Sequence, residues 1–122
     1  MNALLLIAHG SRRAESNNEV RATADKLRAQ CAQQYPIVEC CFLELAEPLI
    51  PDGIRCCAEQ GAKSIIVLPY FLNSGRHVVE DIPGIVNECK ADYPGVEIRI
   101  ASHLGASDKM MDLLIDSANT TA

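Results

Sequence analysis

Tryptophan is absent from this chain, and only 4% of its residues are aromatic. Proteins that hold single-stranded nucleic acid combine aromatic stacking platforms with a cationic groove. Few such platforms and a formal net charge of −5 argue against a nucleic-acid partner. No apolar run approaches the roughly 20 residues that cross a bilayer, so no membrane span is expected. The apolar run Ala3 to Ala8 lacks a basic lead-in and is too short for a secretory signal. Among the six cysteines, Cys31, Cys40, Cys41, Cys56, Cys57 and Cys89, there is no C-x-x-C spacing. Adjacent cysteines do not point the same way on a strand or a helix, so neither doublet makes a natural zinc half-site. The set reads as small, reduced, buried hydrophobes of a cytoplasmic protein, with an iron–sulfur or disulfide role as the alternative.

What is present is the patterning of one ordinary globular domain. The 122 residues are 48% hydrophobic and 22% charged, and no linker or low-complexity tract divides residues 1–122. Ala3 to Ala8 is continuously apolar, as in a strand buried on both faces. Glu15 to Gln34 follows as a helix with Val20, Ala24, Leu27 and Cys31 on one face, closed by Tyr35-Pro36. Ile37 to Leu43 predicts a second strand, and Pro48 to Gln60 a second helix stopped by Gly61. Lys63 to Pro69 is a third, unalternating strand. Phe71 to His77 is expected to be a loop. A helix over Val79 to Asp92 tolerates Pro83 only in its first turn. A strand over Val96 to Ala101 and a helix over Ser107 to Ala118, with Met110, Leu113 and Leu114 inward, complete the chain. The order β-α-β-α-β-α-β-α predicts a parallel four-stranded sheet with helices on both faces.

In an open parallel sheet, ligands bind beyond the carboxyl ends of the strands. That edge is expected to carry all three histidines of the chain. His9-Gly10-Ser11-Arg12-Arg13 follows the first strand, and Glu44 and Glu47 the second. Asn73-Ser74-Gly75-Arg76-His77 follows the third, and Ser102-His103 the fourth. A neutral imidazole nitrogen at such a rim can ligate a metal or accept a proton. Taken alone, His9 reads equally as a strand-end histidine bonded to a backbone carbonyl, and His77 as a solvated loop residue; their joint placement favours the site. Glu44 could join them as ligand or proton acceptor, whereas His103, on an edge strand, reads as peripheral. Borderline divalent cations such as Co2+, Ni2+ or Fe2+ accept imidazole and carboxylate ligands. Arg12, Arg13 and Arg76 on the same edge of an acidic chain suit an anionic, carboxylate-bearing substrate.

The segments Leu6-Ile7-Ala8-His9-Gly10-Ser11-Arg12, Phe42-Leu43-Glu44 and Pro69 to Pro83, with its Asn73-Ser74-Gly75-Arg76-His77 core, resemble the class II tetrapyrrole chelatases. The likeness to small CbiX-type sirohydrochlorin chelatases runs over nearly the whole chain. It implies a flavodoxin-like chelatase domain and ATP-independent insertion of Co2+ or Fe2+ into sirohydrochlorin, for cobalamin or siroheme biosynthesis. It implies His9 and His77 as metal-binding and catalytic residues, with Glu44 beside them, and no permanently bound cofactor. Ser11, Arg12, Arg13, Ser74, Gly75 and Arg76 are then the expected substrate contacts. The resemblance also implies a homodimer that builds one cleft between two copies. A non-catalytic metal- or tetrapyrrole-holding protein is the alternative. Phospho-transfer through His9, suggested by the His-Gly pair of phosphohistidine mutases, is disfavoured because Ala8 stands where those enzymes carry an arginine.

Overall fold

A computed structural model describes residues 1–120. Four parallel strands run in the spatial order β2-β1-β3-β4: β1 Asn2–Ala8, β2 Ile37–Phe42, β3 Ser64–Pro69 and β4 Glu97–Ile100. The helices are α1 Ala14–Gln30, α2 Ile50–Glu59, α3 Ile82–Lys90 and α4 Met110–Asn119. A π-helical turn, His77–Asp81, leads into α3, and a 3-10 turn, Leu104–Ala106, precedes α4. This is the parallel four-stranded α/β sheet expected from the pattern, in the flavodoxin-like arrangement that the resemblance implies.

β1 lies between β2 and β3, and every one of Ala3 to Ala8 is buried, as its unbroken apolar run requires. On one face Leu5, Ile7, Ile65 and Val67 meet Ile50, Ile54 and Cys57 of α2 and Ile82 and Val86 of α3. On the other face Leu4, Leu6 and Val38 meet Ala24, with Val20, Leu27 and Tyr35 around them. Gly53 of α2 lets that helix close on β2, since a Cβ there would lie 2.9 Å from that of Cys41.

Several boundaries differ from expectation. Helix α1 ends at Gln30, not Gln34; Cys31 leaves helical geometry, and the Tyr35 N–H returns to the Cys31 carbonyl at 2.7 Å. Tyr35 thereby joins the apolar cluster under α1. Helix α2 begins at Ile50, because Leu49 runs extended beside β2 and the Pro48 carbonyl accepts from the Phe42 N–H. His77 is not in the loop: it opens the π-helical turn, and α-helix proper starts at Ile82, with Pro83 in its first turn.

The largest correction concerns α4. Leu113 and Leu114, expected inward, are 53% and 54% exposed, alongside Met111 and Ile115. Met110 is half-buried, and no residue of α4 is buried. The helix is amphipathic, but the described residues do not cover its apolar side chains. Correspondingly, Ile66 and Leu68 of β3 stay half-buried on the face where α1 covers only the β1–β2 side.

Candidate active site

The sheet order creates a switch point between β1 and β3. From β1 the chain crosses to β2 on one side, while β3 and β4 lie on the other, so the loops leaving β1 and β3 part and open a crevice. His9 leaves β1 and His77 follows β3, on either side of that crevice. Their ring centroids are 4.6 Å apart, with the planes at 65°.

Each histidine is positioned by its neighbours. The His9 carbonyl accepts the Glu44 N–H at 3.0 Å, and the Ala8 carbonyl accepts the Leu43 N–H at 2.9 Å, so the ladder of β1 and β2 continues past both strands into the site. That contact requires Gly10, at φ +96°, because a Cβ there would lie 1.7 Å from the Glu44 carbonyl oxygen. The Glu44 carboxylate comes to 3.7 Å from His9 Nε2, both side chains about half exposed. Phe71 stands 6.5 Å from the His9 ring, its carbonyl accepting the Gly105 N–H.

His77 has a different partner. Its Nδ1 lies 2.7 Å from Asp81 Oδ2, one helical turn on. Asp81 carries no signal in the sequence that separates it from a solvated helix carboxylate. Asn17 is a second residue that the sequence does not single out. It is buried; its Nδ2 donates to the Ser11 carbonyl at 2.8 Å, and its Oδ1 accepts the Ser11 N–H at 3.0 Å. Asn17 therefore clamps the loop after His9 to the first turn of α1.

The other predicted residues lie on the same edge, in varied surroundings. Ser11 is half-buried, and its Oγ accepts the Arg13 N–H. Arg12 is exposed and has no ion pair among the described residues. Arg13 is engaged locally, by Glu15 at 3.4 Å and by the Ser16 hydroxyl. Arg76 is 81% exposed, with Glu80 at 3.7 Å. Ser74 and Gly75 are exposed, and the Gly75 carbonyl accepts the Val78 and Val79 N–H groups that open the π turn. Glu47 is exposed; its carbonyl accepts from Arg21. The His103 carbonyl accepts the Ala106 N–H at the start of the 3-10 turn.

Beside the pair runs an open groove of about 380 Å³, lined by Glu44, Glu80, Asp81 and Glu88 with Leu43, Gly84 and Ile85. Four carboxylates lining one groove attract cations. Among the described residues no three His, Cys, Asp or Glu side chains converge as a ready-made cage. Structural metal sites are closed by their protein ligands, whereas reactive sites leave positions open.

Fold and site together define a class: a doubly wound parallel α/β domain with an imidazole pair and flanking carboxylates at its switch point. The chain belongs to the CbiX family, whose description it matches over residues 3–121. It is 36% identical, over 94% of its length, to the chloroplastic sirohydrochlorin ferrochelatase of Arabidopsis thaliana, of which it covers 50%. It is 34% identical to the sirohydrochlorin cobaltochelatase of Methanococcus maripaludis, over 98% of this chain and 99% of that one. Among solved structures, it superposes on the sirohydrochlorin chelatase SirB of Bacillus subtilis subspecies spizizenii in complex with cobalt, at TM-score 0.87 and 30% identity, over 99% of this chain and 51% of that one. The chain thus spans about half the length of the plant and Bacillus proteins and nearly all of the archaeal one.

Proposed function

We propose that this chain is a single chelatase domain that inserts a divalent metal, Co2+ or Fe2+, into sirohydrochlorin without ATP, as a lyase of cobalamin or siroheme biosynthesis. The observation that carries this reading is the His9–His77 pair, 4.6 Å apart at the β1–β3 switch point with Glu44 alongside. Its relatives supply the substrate: both the ferrochelatase and the cobaltochelatase are named for sirohydrochlorin. The metal is a substrate here, with Ni2+ as a third candidate, and no permanently bound cofactor is invoked.

In this reading His9 and His77 receive the hydrated cation that the acidic groove draws in, each imidazole replacing a water. Insertion displaces two pyrrole N–H protons as the metal forms its bonds to the ring nitrogens. Glu44, and the histidines as they release the metal, are placed to accept those protons. Arg12, Arg13 and Arg76, with Ser11, Ser74 and the backbone at Gly75, face the substrate's carboxylates. In this reading the guanidinium groups serve the macrocycle's periphery and the groove carboxylates the metal. A cytoplasmic location accords with six unpaired thiols, and no described helix is long and apolar enough to cross a membrane.

The proposed assembly is a homodimer with a shared cleft. It is supported by the uncovered stripe of α4 and by the half-covered face of β3, two surfaces of one molecule that a second copy can cover.

The test is direct. Purified protein mixed with sirohydrochlorin and Co2+ is expected to change the absorption spectrum faster than metal alone, and His9→Ala and His77→Ala each to remove that acceleration while the fold persists. No acceleration by the wild-type chain would leave a protein that holds metal or tetrapyrrole without turning it over. Full activity in either variant would take that histidine out of the mechanism.

A further inference from the structure

We propose that Asp81 is a positioning residue for His77: it fixes the imidazole proton on Nδ1 and so leaves Nε2 as the nitrogen that meets a metal. The two side chains share a 2.7 Å contact between Nδ1 and Oδ2. An ionised carboxylate can only accept, so the ring nitrogen facing it carries the proton. A neutral imidazole has one N–H, and the remaining nitrogen is then bare and available as a ligand.

The surroundings make Asp81 the fixed partner. It directly precedes Ile82, which is fully buried in the core, and the stiff Pro83. The Ile82 N–H donates to the His77 carbonyl, the i→i+5 bond of the π turn. His77, by contrast, follows five consecutive exposed residues, Leu72 to Arg76, and its ring makes no other hydrogen bond among the described residues. Of the nearby carboxylates, Glu80 turns to Arg76 and Glu44 to His9. At 3.7 Å, the Glu44–His9 contact is too long to lock a tautomer in the same way. The pair is therefore asymmetric: His77 is held in one orientation, and His9 is free to turn toward the cation. Removing a carboxylate that orients a metal-binding histidine costs about 10–100-fold in affinity.

The tautomer can be read in the metal-free protein, so this test stands apart from the proposed chelatase reaction on whose site it builds. Nitrogen–proton correlation spectra of 15N-histidine-labelled protein, near pH 8 where an ordinary imidazole is neutral, are expected to show His77 protonated at Nδ1. In Asp81→Ala the proton moves to Nε2; in Asp81→Asn, whose amide oxygen still accepts, it stays on Nδ1. Direct Co2+ titration, with no tetrapyrrole present, is expected to show about 10–100-fold weaker binding in Asp81→Ala and a smaller loss in Asp81→Asn. An Nε2–H tautomer in the wild-type chain overturns the proposal, as does an unchanged tautomer in Asp81→Ala. Equal Co2+ affinity in wild type and Asp81→Ala does so as well. If Asp81→Ala fails to fold, the wild-type tautomer and the Asp81→Asn titration still decide.

Discussion

A side chain on Gly10 would occupy the space of the Glu44 carbonyl oxygen, 1.7 Å from an added Cβ, and the backbone there has φ +96°. Gly10→Ala is therefore expected to destabilise the chain by at least the roughly 1–2 kcal/mol of a left-handed L-residue. It should also push Glu44 from His9, so that activity falls further than melting temperature alone would explain; an unchanged melting temperature would contradict this account. Arg12 gives a different kind of prediction. It is exposed and has no ion pair among the described residues, so Arg12→Ala should leave stability unchanged. If it grips a substrate carboxylate, KM for sirohydrochlorin should rise about 10–100-fold, the equivalent of a charged hydrogen bond of about 1.5–3 kcal/mol. Unchanged KM and kcat would remove Arg12 from the substrate contacts. Arg13 and Arg76, already engaged by Glu15 and Glu80, should show smaller effects.

Among the elements, α2 and β2 hold the thiols that burial changes most. Cys57 is pushed up to about 12 by desolvation, with Glu39 and Cys56 adding to it, and Cys41 is raised well above its ordinary range by burial. Folded, Cys57 keeps its proton until about pH 12; unfolded, it ionises near 9.0. The folded state thus binds this proton more tightly, and the resulting stability is complete below pH 9.0 and lost as pH rises through about 12. Thermal melts are expected to fall across that window, less steeply in Cys57→Val; identical slopes would refute the assignment. The same elements mark how far the sequence could be read. Buried parallel strands appear as unbroken apolar runs, so β1 and β3, and with them His9 and His77, could be placed on one edge. The π turn could not be placed, because five residues, His-Val-Val-Glu-Asp, are too few to separate one helical period from another. Asp81 and Asn17 are polar residues of the kind that helix surfaces hold in solvent, so residue type alone does not separate their roles. Helix α4 was legible as an amphipathic helix, but periodicity says only that a stripe needs an apolar partner, not which molecule provides it.

For the whole molecule, the proposed dimer turns on the exposed α4 stripe Met111, Leu114, Ile115 and Ala118. Leu114→Glu places a charge at its centre and is expected to weaken self-association about 10–100-fold, the equivalent of losing roughly 1.5–3 kcal/mol of side-chain burial. Sedimentation of wild type and variant checks this, and a monomeric wild type with full activity would defeat the shared-cleft reading. A cleft completed by a second molecule also ties catalysis to abundance. Turnover per chain should then drop as the protein is diluted through its dissociation constant, and saturating tetrapyrrole that bridges both halves should restore it by holding the halves together.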